Sequence, residues 1–265
     1  MTRPPAATEE IIRSRQNARL KDLRRRLLRP EVGADGLIAV EGEHSLLEAV
    51  RSGLRIDTVF LREDRAAWMD ADEAARFVVA ADAFDHACAT ESPQGIAALV
   101  EAPRWSLDSV LRGEDPLLVV LAGVQDPGNV GTIVRSAEAF GATGVLLTPG
   151  SANPWNQKVL RASVGSMFRL PVIGLEDIAM LRRLREKKIP LYACDANEGN
   201  SLGDTNLSGR FGFVIGNEGA GIPAEVSALC SGSIRIPCSG PVESLNAAVA
   251  AAILLYEASR QRGSA

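Results

Sequence analysis

Three loops in the chain combine glycines with amide, hydroxyl or charged side chains, and these residue types can hold a ligand or stabilise a developing charge. Each loop follows a short apolar run that predicts a β-strand. The loops are DPGNVGTIVRSAEAFG at 126–141, IGNEGAGIP at 215–223 and IPCSGPVESLN at 236–246. Because ligands bind at the carboxyl ends of the strands in parallel α/β sheets, we expect the three loops to share one site.

The first loop leads into a predicted helix that carries one arginine among small and apolar residues. Asn129 is of a type that caps helices well, and Arg135 lies six residues later. An arginine on such a face is unexpected, which favours a functional role. The spacing to Glu138 equally favours a structural ion pair, because residues three apart are neighbours on a helix. Spacing alone leaves both interpretations open.

The second loop places Glu218 among three glycines, which let the backbone approach a ligand closely or take a positive φ. It has neither the GK[ST] of a Walker A loop nor the GxGxxG of a dinucleotide fingerprint, so it is either another kind of binding loop or a plain tight turn.

In the third loop, Ser244 is predicted to cap a helix that runs to about Arg260. Asn246 would then lie in the first turn, where Asn gains little from helix propensity. A capped helix without any site is the alternative.

Other kinds of catalytic site fit this composition poorly. There is no GxSxG nucleophile elbow, and His44 and His86 lie far in sequence from the three loops. Cys238 lies in the third loop without a histidine nearby in sequence, so we expect no Cys–His nucleophile. The four cysteines are scattered and form no CxxC pair, which fits a reducing cytoplasm and argues against a disulfide framework. We expect no bound metal.

The pattern along the chain predicts two α/β units. Residues 1–105 are expected to form a small domain, followed by a linker at about 101–115. Residues 116–265 alternate strands and helices with short links, which is typical of a parallel sheet, although 149–170 is predicted to be irregular. No apolar run reaches the roughly 18–20 residues that a membrane span needs, so we expect no membrane partner.

The net charge of −4 conceals a basic N-terminal arm. Residues 1–30 hold nine Lys/Arg against three Asp/Glu, a charge of +6, which leaves −10 for the remainder. An apolar stripe predicts a helix over 11–29, and the stripe consists of Ile12, Leu20, Leu23 and Leu27. A basic arm on an acidic body indicates a polyanionic partner, whereas a solvated helix face is the bland alternative. The residues expected to contact such a polyanion are Arg13, Arg19, Arg24, Arg25 and Arg26.

Together the three loops resemble the SpoU (TrmH-like) family of the SPOUT superfamily, the RNA ribose 2′-O-methyltransferases. The matching residues, in family order, are Asn129 with Arg135, Asn217-Glu218-Gly219, and Ser244-Leu245-Asn246. The stretch VLRASVGSMFRLPV at 159–172 is also similar to the family. The N-terminal part resembles the substrate-binding domain of the branch that acts on ribosomal RNA, through Ser14-x-x-Asn17, Glu41-Gly42 and Pro93-Gln94-Gly95-Ile96.

The resemblance implies a C-terminal SPOUT domain whose parallel sheet is tied in a deep trefoil knot, an exception to the rule that chains are unknotted. It also implies a homodimer, with the site near the dimer interface. S-adenosylmethionine would be the cofactor, and the residues expected to hold it are Thr148, Gly216, Asn217, Ile236, Ser244 and Leu245. The residues expected to serve catalysis are Arg135, Asn129, Glu218, Ser244 and Asn246.

The resemblance implies that Arg135 is the main catalytic residue. Because the pKa of arginine exceeds about 12, Arg135 would act while charged, by gripping the target phosphate and stabilising the alkoxide, and a phosphate or water would take the proton. Asn129 would hold Arg135 in place, and Glu218 would anchor loop backbone or a positive partner. Ser244 and Asn246 would orient the ribose.

The substrate implied by the resemblance is RNA, with 23S ribosomal RNA favoured by the N-terminal domain. A transfer RNA methyltransferase of the same family is the first alternative. A non-catalytic RNA-binding protein, such as a ribosome assembly factor, is the second. Retention of Arg135, Glu218 and Asn246 argues against lost chemistry.

Overall fold

The computed structural model describes residues 11–68, 74–241 and 244–263. The chain divides into two compact units. The first comprises Met1–Pro103 with Trp155–Leu160, and the second comprises Arg104–Pro154 with Arg161–Ala265. Within the described ranges, no helix is both long and apolar enough to cross a membrane.

The first unit is a mixed sheet with helices packed on it. Its strands are β1 (Leu37–Glu41), β2 (Ile56–Arg62), β3 (Ala75–Val79) and β4 (Ile96–Glu101), and its helices are α1 (Ala18–Leu28), α2 (Glu43–Arg51) and α3 (Ala81–Ala87). In the order β1-β4-β2-β3, strand β4 is antiparallel to both neighbours, and β2 is parallel to β3. Leu20, Leu23 and Leu27 of α1 pack into a core with Phe60 and Phe84.

Helix α1 is shorter than the predicted helix over 11–29. The Asn17 side chain caps it by accepting a hydrogen bond from the Arg19 amide at 2.9 Å, so the helix begins at Ala18. Ile12, which the predicted stripe includes, instead forms a parallel bridge with Val79. Helix α2 is followed by Gly53, whose φ of +74° lies in the left-handed region that favours glycine.

Arg26 lies on the buried face of α1, with 7% of its surface exposed. Its guanidinium pairs with Asp35 at 2.6 Å and Asp22 at 2.9 Å, and it donates to the Leu37 carbonyl at 3.0 Å. The hydrogen bond from Arg26 holds the pKa of Asp35 below its usual range. The structure therefore contradicts the prediction that Arg26 contacts RNA, because its charged group is already buried and paired.

Strand β1, at one edge of the first sheet, gains a partner from a side chain. Gln157 is buried; its Nε2 donates to the Ala39 carbonyl at 2.8 Å, and its Oε1 accepts from the Glu41 amide at 3.0 Å. One amide thus satisfies two backbone groups that an edge strand would otherwise leave unpaired.

The second unit is built on a parallel sheet. Its strands are β5 (Leu117–Ala122), β6 (Gly144–Leu147), β7 (Val172–Gly174), β8 (Leu191–Cys194), β9 (Asn200–Ser201), β10 (Phe211–Gly216) and β11 (Gly232–Arg235). Their order is β7-β6-β5-β10-β8-β11-β9, and every pairing is parallel. Strand β5 is buried along its whole length, as expected for a strand covered on both faces. The predicted α/β class with a parallel C-terminal sheet is confirmed.

Seven α-helices are described between Arg104 and Gly263. They are α4 (Leu107–Val110), α5 (Pro127–Ala139), α6 (Gln157–Ser163), α7 (Ser166–Arg169), α8 (Arg182–Glu186), α9 (Ala224–Ser227) and α10 (Ala247–Gln261). The prediction that 149–170 is irregular is wrong, because α6 and α7 lie there. Each spans too few residues to show a helical repeat in the sequence.

The Arg26 cluster generates a stability prediction. Arg26→Ala should lower the free energy of unfolding by about 1–2 kcal/mol, because it leaves the buried Leu37 carbonyl without its donor and removes the partner of the partly exposed Asp22 and Asp35. Arg25→Ala is the matched control: Arg25 also pairs with Asp22, at 2.6 Å, but more than half of its side chain is exposed, so its loss should cost under about 0.5 kcal/mol.

The difference between Arg26→Ala and wild type should also depend on pH. The folded-state pKa of Asp35 is lowered, so the stabilisation is present above the unfolded pKa of about 4 and is lost as pH falls through the folded value. Urea denaturation at pH 7 and pH 3 measures this difference. A gap that widens in acid would contradict the assignment.

Candidate active site

The three loops lie at one edge of the second sheet. Strands β5, β8, β10 and β11 run parallel, so their carboxyl ends meet at the same edge. The first loop leaves β5, the second leaves β10 and the third leaves β11. The sheet topology therefore brings together segments that are up to 120 residues apart, counting from 126 to 246.

One carboxamide joins all three loops. The Nδ2 of Asn129 donates to the Glu218 carboxylate at 2.9 Å, and its Oδ1 accepts from the Nδ2 of Asn246 at 3.1 Å. Asn129, Glu218 and Asn246 were each predicted to belong to the site, and the structure places them in direct contact. Because a carboxamide both donates and accepts, Asn129 can bind a carboxylate on one side and an amide on the other.

Glu218 anchors the backbone of the first loop. Besides Asn129, its carboxylate accepts hydrogen bonds from the amides of Gln125 and Asp126, both at 3.3 Å. Burial alone would raise the pKa of Glu218, but the hydrogen bonds from Asn129 and the backbone amides outweigh it and lower the pKa. The carboxylate therefore stays ionised at neutral pH beside the N-terminus of α5, where the helix dipole favours negative charge.

Both site helices have caps that differ from the predicted ones. Asp126, not Asn129, caps α5 by accepting from the Asn129 amide at 2.8 Å. Asn246, not Ser244, caps α10 by accepting from the amides of Ala248 at 2.9 Å and Val249 at 3.2 Å. Asn129 thus keeps its side chain for the other loops, and Asn246 caps with its oxygen while it donates with its nitrogen.

Asn217 closes the second loop into a tight turn. Its Oδ1 accepts from the amides of Gly219 at 2.9 Å and Ala220 at 2.8 Å, and its Nδ2 donates to the Gly123 carbonyl at 2.8 Å. Gly216 packs so tightly that a Cβ would lie 2.6 Å from the carbonyl carbon of Gly221. The glycine at 216 is therefore required by the turn itself, which is also bonded to the first loop.

Arg135 points into solvent from α5. It is exposed, and among the described residues its guanidinium forms no hydrogen bond or ion pair. The ion pair with Glu138 that spacing allows is not formed. Glu138 instead pairs with Arg169 of α7 at 2.7 Å. Asn129, expected to hold Arg135, bonds to the other two loops, so it positions the start of the helix rather than the arginine itself.

The remaining predicted cofactor residues surround this edge. Thr148 is buried just after β6, and its hydroxyl accepts from the Gly123 amide at 3.1 Å, which ties the end of β6 to the first loop. Ile236 and Leu245 are half-buried, whereas Ser244 is exposed. The described contacts do not join these last three side chains to Asn129, although Leu245 directly precedes Asn246.

The predicted RNA contacts on the first unit differ in exposure. Arg13, Arg19 and Arg25 are exposed, and the guanidinium carbon of Arg19 lies 4.4 Å from the centroid of the Phe77 ring. Arg24 is half-buried and donates to the His86 carbonyl. Arg26 is the exception, since it is buried and paired with Asp22 and Asp35.

Three residues that hold the loops and helices of this edge in place were not predicted from the sequence. Asp126 could have been found, because an acidic residue followed by proline is a typical helix start, with proline at the first helical position. Gly123 and Arg169 gave no local signal, because their roles depend on contacts across the unit. In the part of the chain that the structure describes, no cluster of three or more His, Cys, Asp or Glu could hold a metal ion.

Comparison with known families gives two matches. Residues 116–256 match the SpoU rRNA Methylase family, and residues 17–98 match an MRM3-like substrate binding domain.

Individual relatives resemble the chain over most of its length. It is 31% identical over 246 residues to the 23S rRNA (guanosine(2553)-2′-O)-methyltransferase RlmP of Bacillus subtilis (strain 168), covering 92% of this chain and 97% of that one. It is 36% identical over 178 residues to a 23S rRNA (uridine(2479)-2′-O)-methyltransferase of Streptomyces viridochromogenes, covering 65% and 62%. The crystal structure of the SpoU methyltransferase AviRb from Streptomyces viridochromogenes in complex with AdoMet superposes with a TM-score of 0.82, at 30% identity, covering 94% and 99%.

The double role of Asn246 can be tested by two substitutions. Asn246→Ala removes the cap of α10 and the bond to Asn129, and should lower the free energy of unfolding by about 1–2 kcal/mol. Asn246→Asp keeps the capping oxygen, since Asp and Asn cap equally well, and should lose less than half as much. Urea denaturation at neutral pH measures both. Equal losses would show that the cap contributes little.

Proposed function

Because the chain belongs to the SpoU rRNA methylase family, we propose that it transfers the methyl group of S-adenosylmethionine to a ribose 2′-hydroxyl in 23S ribosomal RNA. The family match confirms the resemblance seen in the three loops. The observation that carries the proposal is the hydrogen-bonded set Glu218–Asn129–Asn246, which joins the three loops beside the exposed Arg135. These are the residues on which the resemblance rests.

Ribosomal RNA is favoured over transfer RNA by the first unit. Residues 17–98 match a substrate-binding domain, and the similarity to a 23S rRNA methyltransferase extends over 92% of the chain. In a non-catalytic assembly factor, an exposed Arg135 would serve no purpose. Here the side chains of Asn129, Glu218 and Asn246 are joined by hydrogen bonds, and the Arg135 guanidinium is left exposed. A ribosomal substrate would place the reaction in the cytoplasm.

The loops fit S-adenosylmethionine by the chemistry of their groups. The half-buried side chains of Ile236 and Leu245 offer apolar surface for the adenine, and the loop backbone offers amides and carbonyls for its polar edge. We assign Thr148, Gly216, Asn217, Ile236, Ser244 and Leu245 to this site, of which Gly216 and Asn217 act by shaping the second loop.

When bound, S-adenosylmethionine supplies an activated methyl group on a sulfonium, which an oxygen must approach in line. The ribose hydroxyl is a weak acid, so its developing charge requires stabilisation. Arg135 meets this need as a cation that holds a substrate phosphate and the alkoxide, while a phosphate or water accepts the proton. Glu218, Asn129 and Asn246 hold the start of α5 and α10 in place, so positioning is their contribution. Ser244, exposed in the third loop, is available to the ribose.

RNA would reach the site through the first unit. Arg13, Arg19 and Arg25 present exposed cations, and Arg24 lies beside them on α1. Phosphate contacts of this kind provide salt-dependent affinity and little sequence information. Arg26 is left out of the proposed surface because its charge is buried.

An exposed apolar stripe on α10 supports the proposed homodimer. Val249, Ile253 and Tyr256 recur at helical spacing with exposures of 49%, 36% and 51%. Tyr256 packs edge-on against Phe140, which directly follows α5, the helix that carries Arg135. A second copy covering this stripe would approach the helices of the site, which is the arrangement that the family resemblance implies. The trefoil knot is proposed on the same resemblance.

Arg135 provides the direct test of the proposed function. Arg135→Ala should lower kcat for methyl transfer by about 10²–10³-fold, the effect of removing one donor that stabilises an oxyanion. Affinity for S-adenosylmethionine should stay within a few-fold, because Arg135 lies outside the two loops assigned to the cofactor. Transfer of labelled methyl to ribosomal RNA and calorimetry with the cofactor measure the two quantities.

Arg185→Ala, at an exposed arginine of α8, is the control and should match wild type. A folded Arg135→Ala variant that loses cofactor binding would overturn this division of roles. Absence of methyl transfer by the wild-type protein to any ribosomal RNA, with S-adenosylmethionine bound, would overturn the function.

The dimer proposal is tested by placing charge on the stripe. Ile253→Glu combined with Tyr256→Glu should convert the dimer to a monomer in sedimentation velocity, because two carboxylates would be buried without partners. Leu28→Glu is the matched control, since Leu28 is an exposed apolar residue of α1 at 53%. The Leu28→Glu variant should have the same sedimentation coefficient as wild type. A double variant that sediments like wild type would locate the interface elsewhere.

A further inference from the structure

Arg135 has a carboxylate within reach on its own helix. Glu138 lies three residues further along α5, and side chains at this spacing are neighbours on a helix surface. A pair between them would neutralise the cation on which the proposed chemistry depends. The structure shows that Glu138 points to another partner, so the feature to explain is what holds it there.

That partner is Arg169, at the end of α7. Its guanidinium grips Glu138 through two hydrogen bonds, with Nε to Oε1 at 2.7 Å and Nη2 to Oε2 at 3.0 Å. The two-pronged geometry matches the fork of arginine and uses both carboxylate oxygens. A third bond, from Nη2 to the Val164 carbonyl at 3.3 Å, fixes the guanidinium from its other side.

The backbone before α7 has an unusual conformation that places Arg169 near Glu138. Val164 has a φ of +49° and is followed by Gly165 at +83°, so two successive residues adopt left-handed conformations. For a β-branched residue such as valine this conformation is uncommon and costs energy. This sharp reversal between α6 and α7 lets Arg169 reach both the Val164 carbonyl and Glu138 of α5.

We propose that Arg169 is a positioning residue that holds the Glu138 carboxylate away from Arg135 and so keeps the Arg135 guanidinium available for the phosphate and alkoxide of the RNA. The inference rests on the proposed function. Without Arg169, the Glu138 carboxylate loses the two-pronged pair that holds it, and it lies one helical turn from Arg135. It would then compete with the RNA for the same cation.

A set of four variants tests this inference. Arg169→Met removes the charge and keeps most of the apolar stem, Glu138→Gln removes the competing charge, and the double variant removes both. Arg260→Met is the matched control, because Arg260 makes a comparable two-pronged pair with Glu257 on α10, at 2.8 and 2.7 Å, without an arginine of the site beside it. For each, kcat and KM for ribosomal RNA, S-adenosylmethionine affinity and thermal stability are measured.

The expected pattern is specific. Arg169→Met should lower kcat/KM for RNA by about five- to tenfold, in line with couplings between contacting charged residues, at unchanged cofactor affinity. Glu138→Gln should lie within about twofold of wild type, and in the double variant it should restore most of the activity that Arg169→Met loses. Arg260→Met should behave as wild type. If the Arg169–Glu138 pair only holds α7 against α5, Arg169→Met and Glu138→Gln should both lower kcat/KM, and the double variant should not regain activity. That result would overturn the proposal.

Direct binding of RNA separates this inference from the proposed function. Filter binding of a ribosomal RNA fragment at low salt should show weaker affinity for Arg169→Met than for wild type, and no further effect of Arg169→Met when Arg135 is already Ala. If wild type binds RNA but transfers no methyl group, the proposed function fails while this comparison still decides the role of Arg169. An equal effect of Arg169→Met with and without Arg135 would refute it.

Discussion

The site depends on the two-sided hydrogen bonding of one carboxamide. Asn129 donates to Glu218 through Nδ2 and accepts from Asn246 through Oδ1. One side chain thus fixes segments that follow three different strands against each other. Neither aspartate nor leucine could replace it, because aspartate has no donor and leucine has neither donor nor acceptor. The parallel sheet makes this contact possible by ending β5, β10 and β11 at one edge.

Around that carboxamide, three carboxylates of the described residues each have a defined partner. Glu218 is occupied by two backbone amides and Asn129, Asp126 caps α5, and Glu138 is held by Arg169. The result is a helix that carries acidic neighbours and yet presents one cation, Arg135, to solvent. Arg135 is thus left exposed because the neighbouring carboxylates are bound by other groups, even though the net charge beyond residue 30 is negative.

Much of this arrangement could be predicted from the sequence, because the three loops follow recognisable strands and bring their polar residues to one edge. The helix caps could not be predicted, because two good capping residues lie within one turn at the start of each helix. These are Asp126 and Asn129 for α5, and Ser244 and Asn246 for α10. Helices as short as α6 and α7 leave no measurable period. For Arg26 a signal existed: it lies three residues from Leu23 and beside Leu27, on the stripe that faces the core.

The amide of Gln157 has a consequence for how such a chain can be divided or recombined. Along the sequence, the boundary between the two units falls after Pro103, after Pro154 and after Leu160, because Trp155–Leu160 belongs with the first unit. The domains are therefore interleaved rather than strung in series. Genetic exchange of the N-terminal part at the linker would transplant β1 without the side chain that pairs with its outer edge. Recombinants of this kind require that six-residue insert to be exchanged as well.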